Sequence, residues 1–505
     1  MQLSKENIKN ITSQNVIKPP GHVFDLPDKV LQFGTGVLLR GLCDYFIDKA
    51  NRKGIFNGRV VVVKSTGKGD ATAFDKQDNL YTLCVRGTAD GNNIEENIVS
   101  SAISRVLSAR QDWQEILKYA HNRHLQIIIS NTTEVGLQLV KESIHQSPPS
   151  SFPAKLLAFL YERYQAFVGA AEAGMIIIPT ELITDNGKKL LSIVEELAHF
   201  NHLNDDFINW LKEHNRFCNS LVDRIVPGKP DEATLQQLQN ELGYEDELLS
   251  VCEVYRLWAI EGDYHEKNTL SFFEADEGVI IEPHIEIYKE LKLRLLNGTH
   301  TLTCGLAYLN GFTTVKEGMS DKSLSTFIYD LMLKEIAQAI PYPLPDSAAY
   351  EFGMKVLDRF RNPYLQHQWL NITLQYTSKM KMRNIPILVR YYELYDVAPK
   401  NFSLGFAAYI LFMKAVKKEG EKYFGKCNSE YYPINDEKAR YFYEVWQNNS
   451  VDDVVTTVLH NQELWGVNLS HFYDFTENVK LHLKLMIEQG MAATLAASQQ
   501  AEKVE

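Results

Sequence analysis

Paired cysteines are missing from this 505-residue sequence: Cys43, Cys84, Cys218, Cys252, Cys304 and Cys427 are scattered, with no CxxC spacing and no compact metal-ligand cluster. That argues against a zinc-ribbon type of site, and a reducing interior is the simplest home for such cysteines. Long apolar runs are also missing. None approaches the ~20 residues that a membrane helix needs, and the opening MQLSKENIKN has no apolar core of the kind a secretory signal carries. There is no basic surplus either. With 52 Lys+Arg against 64 Asp+Glu the formal net charge is -12, which repels nucleic acid and anionic membrane. The expectation is a cytoplasmic protein with no nucleic-acid or membrane partner, in which a local basic pocket must hold any anionic substrate. Low-complexity tracts are absent, and 45% hydrophobic with 23% charged residues is the composition of a chain that folds throughout.

What is present divides in two. The first half carries short β-branched runs at 30–33, 59–63, 125–129 and 175–178, the pattern of strands buried on both faces. Helical periodicity at 38–49 and 112–119 lies between them, so a parallel sheet with helices on both faces is expected. From about residue 282 onward helix-period segments dominate, at 291–309, 327–338, 402–418 and 479–497. The fold class read from this is an α/β, Rossmann-type N-terminal domain over 1–280, binding a dinucleotide, followed by a mainly α-helical substrate and catalytic domain over 281–505. Oligomeric state is left open.

The segment VLQFGTGVLLRGLCDYF places Phe33, Gly34, Thr35 and Gly36 between a strand and an amphipathic helix. Such glycines let phosphates approach the free N–H groups of a helix N-terminus. A tight turn alone explains two glycines equally well, and the usual third glycine position is Leu39, with Gly41 displaced by two. After Val63, where a dinucleotide fold normally presents an acid to the ribose hydroxyls, the sequence reads Lys64, Ser65, Thr66. By charge alone Lys64 and Lys68 lean toward NADP unless Asp70 folds back. Ser130, Asn131, Thr132 and Glu134 follow the third apolar run, at the strand end where a parallel sheet meets its ligand; helix capping explains part of that pattern too.

KLRLLNGTH supplies Lys292, Asn297 and His300. On one α-helix His300 lies about 80° and Asn297 about 140° from Lys292, so all three fit one side. Reduction of a carbonyl by hydride develops negative charge on oxygen, which calls for hydrogen-bond donors and a proton source. Lysine, asparagine and histidine supply these without a metal, although a solvated helix face with an Asn-Gly kink gives the same residues. Tyr288 and Lys292 have the Tyr-x3-Lys spacing of short-chain dehydrogenases, but that pattern's glycines and serine are not in place. HNRH at 121–124 lacks partners for zinc, so no metal is expected.

With KLRLLNGTH, FGTGVLLRG at 33–41, SNTTEVG at 130–136, NSLVDRIVPG at 219–228, CEVYRLWAIEG at 252–262 and RFRNPYLQHQW at 359–369, the chain resembles the mannitol dehydrogenase, or polyol-specific long-chain dehydrogenase, family. The resemblance implies NAD as cofactor, a small-molecule sugar-acid substrate, and interconversion of D-tagaturonate and D-altronate. It makes Lys292 the acid in reduction and the base in oxidation, with Asn297 and His300 on the reacting oxygen. A carboxylate on the substrate calls for cations, and among Arg359, Arg361, Lys379, Lys381 and Arg383 the resemblance favours Lys379 and Arg383, with Arg359 behind them. One departure concerns the second oxyanion amide of the mannitol enzymes: the matching positions here are Thr180-Glu181-Leu182, which leaves Asn186 as the replacement to examine. The alternatives are a sibling activity on D-fructuronate or mannitol, or a catalytically silent nucleotide-binding regulator.

Overall fold

The computed structural model describes residues 1–65, 71–132 and 136–500. The chain divides into two compact units, one of Met1–Gly87 with Asn93–Ile285 and one of Thr88–Asn92 with Glu286–Glu505.

The first unit is built on a six-stranded parallel sheet of β1 (Asp28–Phe33), β2 (Arg59–Lys64), β3 (Ile103–Ser108), β4 (Ile127–Ser130), β5 (Ile176–Pro179) and β6 (Arg216–Phe217), in the order β3-β2-β1-β4-β5-β6. The order reverses direction between β1 and β4, which is the Rossmann arrangement with its switch point beside the first strand. Alternation along the strands feeds two cores. Val30, Val60, Val62, Ile127, Ile129, Ile176 and Ile178 face one layer with Phe46, Trp258 and Phe272, while Leu31, Phe33, Val61, Val63, Ile128 and Ile177 face the other with Phe152 and Leu156. Because both faces are covered, the strands carry apolar residues at nearly every position. A four-stranded sheet (Val16–Ile17, Asn92–Ser100, Tyr81–Ala89, Ser250–Glu253) and a three-stranded sheet (Ser220–Asp223, Leu257–Glu261, Val279–Glu282) add strands beyond the expected four.

The second unit is mainly helical, with one three-stranded antiparallel sheet over Lys417–Glu419, Lys422–Cys427 and Glu430–Pro433. Helices Thr299–Leu309 and Lys400–Phe412 form its centre and are apolar nearly all round, as buried helices are. Their backbones approach closely: a Cβ on Gly405 would lie 2.8 Å from the Leu302 carbonyl oxygen, and one on Gly305 would lie 3.3 Å from the Ala408 carbonyl oxygen.

Several expected helices are cut differently. The helix expected over 38–49 is broken at Leu42 (φ -130°, ψ -72°) into Val37–Gly41 and Cys43–Arg52. The one expected over 291–309 begins as a π-helical turn, Lys292–Gly298, before it becomes α-helical. The one over 402–418 stops at Phe412, and Lys417–Lys418 belong to the hairpin.

Candidate active site

In the first unit, Phe33, Gly34, Thr35, Gly36, Ser65, Asn131, Thr132 and Lys155 are among the residues lining a cavity of about 490 Å³. The turn after β1 is fixed by its neighbours, with the Gly34 N–H donating to the Val63 carbonyl (3.0 Å) and the Asn131 N–H to the Phe33 carbonyl (3.2 Å). Gly34 has φ +129°, and a Cβ there would meet the Asn131 carbonyl oxygen at 3.1 Å; a Cβ on Gly36 would meet nothing within 4 Å among the described residues. One glycine is therefore demanded by the turn and the other leaves open space in the cavity. The close packing assigned to a third glycine falls to Gly41, where a Cβ would come within 2.9 Å of Val226.

The strand end at Ser130 is organised from beneath by Glu181. Its buried carboxylate accepts from the Thr132 N–H (2.7 Å), the Thr132 hydroxyl (3.0 Å) and the Ser130 hydroxyl (3.2 Å), and burial raises its pKa against those bonds. The Asn131 amide donates to the Thr180 carbonyl and hydroxyl oxygens. Asn131 and Thr132 line the cavity; Ser130 is 1% exposed and turned toward Glu181. Glu134, Thr66, Lys68 and Asp70 lie outside the described residues. Two lining residues carried no motif in the sequence. The Ser65 hydroxyl is buried with no hydrogen-bond partner among the described residues, and Lys155, whose ammonium donates to the Ser150 carbonyl (2.6 Å), has its pKa lowered by burial. An open glycine, an orphaned hydroxyl and a buried cation fit a dinucleotide.

Asn186 does not replace the second oxyanion amide. It is 1% exposed, its amide nitrogen is directed at the carbonyls of Pro179, Glu181 and Ser220, and its oxygen accepts from Gly187 and Ser220. It brackets a loop, and Leu182 points outward at 63% exposure.

In the second unit the geometry of Lys292, Asn297 and His300 departs from the α-helical expectation. The turn from Lys292 to Gly298 is π-helical, and its i→i+5 bonding brings residues five apart onto one side. Asn297 thus stands one turn from Lys292 instead of about 140° around an α-helix. A second π turn, Met380–Asn384, packs against the first. Arg294 binds the two together by donating to the carbonyls of Met382 and Arg383 (both 2.8 Å), and the Asn384 amide donates to the Gly298 carbonyl (3.0 Å). From the second turn the Arg383 guanidinium donates to the Thr301 hydroxyl (3.0 Å), which donates to the Asn297 carbonyl (2.7 Å).

His300 is buried at 7% exposure, stacked on Phe360 and edge-on to His367 and Trp369. Its Nε2 has no hydrogen-bond partner among the described residues. Burial, then His367, Arg359 and Arg383, holds its pKa well below the ordinary value, so the ring is neutral at neutral pH. Lys379 and Arg383 are both lowered, chiefly by burial, and Lys379 donates to the Ile372 carbonyl (3.0 Å). The structure therefore gathers Arg359, Lys379 and Arg383 around the two histidines. It leaves Arg361 exposed and paired with Asp358, and Lys381 exposed on the Glu463 carbonyl. His367, Phe360 and Arg294 escaped the sequence reading, since nothing in their local spacing marks them. A separate cavity of about 540 Å³ in this unit, bordered by Lys414, Lys426 and Cys427, shares no residue with this cluster. Among the described residues no group of three His, Cys, Asp or Glu is arranged to hold a metal.

Residues 28–272 match the mannitol dehydrogenase Rossmann domain and residues 284–487 the mannitol dehydrogenase C-terminal domain. The chain belongs to the mannitol dehydrogenase family. Within that family it is 37% identical to an altronate oxidoreductase of Halalkalibacterium halodurans, over 96% of both chains. It is 36% identical to one of Bacillus subtilis, over 94% of this chain and 96% of the relative. A solved D-sorbitol dehydrogenase has the same fold, with TM-score 0.80 and 20% identity over 98% of this chain and all of that one. A Pseudomonas fluorescens mannitol 2-dehydrogenase, solved with NAD and D-mannitol, gives 0.66 and 22% over 99% and 100%.

Proposed function

We propose that this mannitol dehydrogenase-family chain is an NAD(H)-linked oxidoreductase that interconverts D-tagaturonate and D-altronate. The relatives named altronate oxidoreductase, matched over nearly their whole length, support the substrate pair. The chemistry rests on one observation: a buried His300 whose Nε2 has no hydrogen-bond partner among the described residues, in the first α-helical turn after the π turn that carries Lys292 and Asn297.

Phe33, Gly34, Thr35, Gly36, Asn131 and Thr132 would hold the dinucleotide, with Ser130 as their support and Ser65 and Lys155 as further polar groups. When bound, it supplies hydride for reduction and accepts it in oxidation. In reduction the carbonyl oxygen gains negative charge. Lys292 gives that oxygen its proton, while the Asn297 amide and the N–H of neutral His300 donate hydrogen bonds to it; in oxidation Lys292 takes the hydroxyl proton back. A neutral imidazole serves as a hydrogen-bond donor without competing for the proton. Arg359, Lys379 and Arg383 answer the substrate's carboxylate, a charge that a hexitol lacks.

NADH oxidation by the purified protein should be fastest with D-tagaturonate in a panel that also holds D-fructuronate and D-fructose, and faster with NADH than with NADPH. Activity on D-fructose alone would remove the sugar-acid reading. No turnover of any of the three, with NADH still bound, would leave a nucleotide-binding regulator in its place.

A further inference from the structure

Gln32 interrupts the apolar run Val30, Leu31 and Phe33 of β1 and is 0% exposed. Strand alternation puts it on the face of Val30, toward the layer that holds Phe46, Trp258 and Phe272. There its amide nitrogen donates to two acceptors, the Gly34 carbonyl (3.2 Å) and Asp44 Oδ2 (3.3 Å). Asp44, in the first turn of Cys43–Arg52, is also 0% exposed. Gln32 Oε1 and Asp44 Oδ1 have no hydrogen-bond partner among the described residues. A buried amide and a buried acid, each with one oxygen unsatisfied, weaken an apolar core relative to hydrocarbon, so stability alone does not account for the pair.

What the pair touches is the glycine turn. The Gly34 peptide is held at both ends, its N–H by the Val63 carbonyl (3.0 Å) and its carbonyl by Gln32. In a planar trans peptide the carbonyl of one residue and the N–H of the next point in opposite directions. Turning the Gly34 carbonyl in toward Gln32 therefore turns the Thr35 N–H away from it, at a position where Gly34, Thr35 and Gly36 line the cavity of the first unit. That N–H has no acceptor among the described residues.

We propose that Gln32 and Asp44 are positioning residues for the cofactor: Asp44 fixes the Gln32 amide, Gln32 fixes the Gly34 carbonyl, and the Thr35 N–H is thereby held ready to donate to a pyrophosphate oxygen of the dinucleotide. The inference rests on the dinucleotide reading given above. A carbonyl oxygen only accepts, so the bond to Gly34 requires a donor at position 32. Gly34, at φ +129°, has no Cβ of its own to hold the peptide plane, and the bond from beneath does that instead. Neither Gln32 nor Asp44 lines the cavity, so both act through the turn and not on the cofactor.

Binding measured apart from turnover tests this, with NADH followed by fluorescence and ADP-ribose by calorimetry on the full-length protein. Gln32→Met and Asp44→Leu keep the volume and remove the donor or the acceptor. Both should bind both ligands about tenfold or more weakly than wild type, the loss expected when a hydrogen bond to a charged group is mis-aimed. Asp44→Asn keeps an oxygen facing Gln32 and should stay within about threefold of wild type. Wild-type affinity in Gln32→Met and Asp44→Leu, or an Asp44→Asn as weak as Asp44→Leu, would overturn the positioning role. Where a variant loses its thermal midpoint, the crystal structure of wild type with ADP-ribose takes its place. A pyrophosphate oxygen on the Thr35 nitrogen, with the Gly34 carbonyl still on Gln32, is the expected result, and a pyrophosphate that leaves that nitrogen unpaired counts against the proposal. Wild type that binds neither ligand would remove the dinucleotide reading and this inference with it, whereas wild type and variants that bind both ligands alike would remove this inference alone.

Discussion

The imidazole of His300 lies flat on the ring of Phe360, with 4.0 Å between centroids and 9° between planes. Phe360 is itself buried, at 3% exposure. In the proposed reaction His300 presents one nitrogen to the reacting oxygen, which needs its ring plane fixed, and this stack holds the plane without using either nitrogen.

Phe360→Ala should therefore cost about 3–5 kcal/mol of stability, the range for a truncated buried phenylalanine. Phe360→Leu, which keeps most of the apolar volume, should lose far less stability and still lose turnover, because it no longer defines a plane. Denaturant midpoints and kcat on the same preparations test this. Full turnover in Phe360→Leu would show that the stack does not orient the ring.

The two glycines after β1 should behave oppositely. Gly34→Ala puts a Cβ at φ +129° and 3.1 Å from the Asn131 carbonyl oxygen, and should destabilise the fold by about 1–3 kcal/mol. Gly36→Ala meets no atom of the described residues within 4 Å and should fold with stability unchanged to within about 0.5 kcal/mol, yet raise the KM for NADH tenfold or more by filling the cradle. Thermal midpoints and cofactor KM values separate the two effects; equal stability losses would contradict the geometry.

Much of this was legible because burial leaves a simple mark. β1, β2, β4 and β5 are covered on both faces, so Val60 to Val63 and Ile127 to Ile129 read as strands. β3 did not, because it is an edge strand in which Ser104 and Arg105 interrupt the apolar run. The candidate site was legible where its proposed residues are close in sequence, as in Lys292, Asn297 and His300. The π turn was not, because one extra residue in a turn is set by tertiary bonds such as Arg294 to Met382 and Arg383, and periodicity does not report those. His367 and Phe360 reach His300 only through the fold of the chain. Asn186 looked available in sequence and is consumed by backbone carbonyls in the structure.

The helical unit should be acid-sensitive through its buried histidines. His300 and His367 are lowered chiefly by burial, and His482, lowered by burial and Lys400, titrates at about 4. In the unfolded chain each takes a proton near pH 6.5, so below that pH the unfolded state binds more protons and stability falls with decreasing pH. The contribution is fully present above about pH 6.5 and is lost at up to about 1.4 kcal/mol per pH unit per histidine. Urea midpoints from pH 7.5 to pH 5 should fall in wild type and fall less in His482→Gln. Parallel curves would rule His482 out as a source of the acid sensitivity.

Lys292 is proposed to move the proton in a nicotinamide-linked reduction. Single-turnover and steady-state reduction of D-tagaturonate by Lys292→Ala, alongside NADH binding by fluorescence, tests it most directly. With Lys292 as the proton donor, kcat should fall about 10²–10⁴-fold while NADH affinity stays within twofold of wild type. A kcat within tenfold of wild type, with the cofactor bound normally, would contradict it.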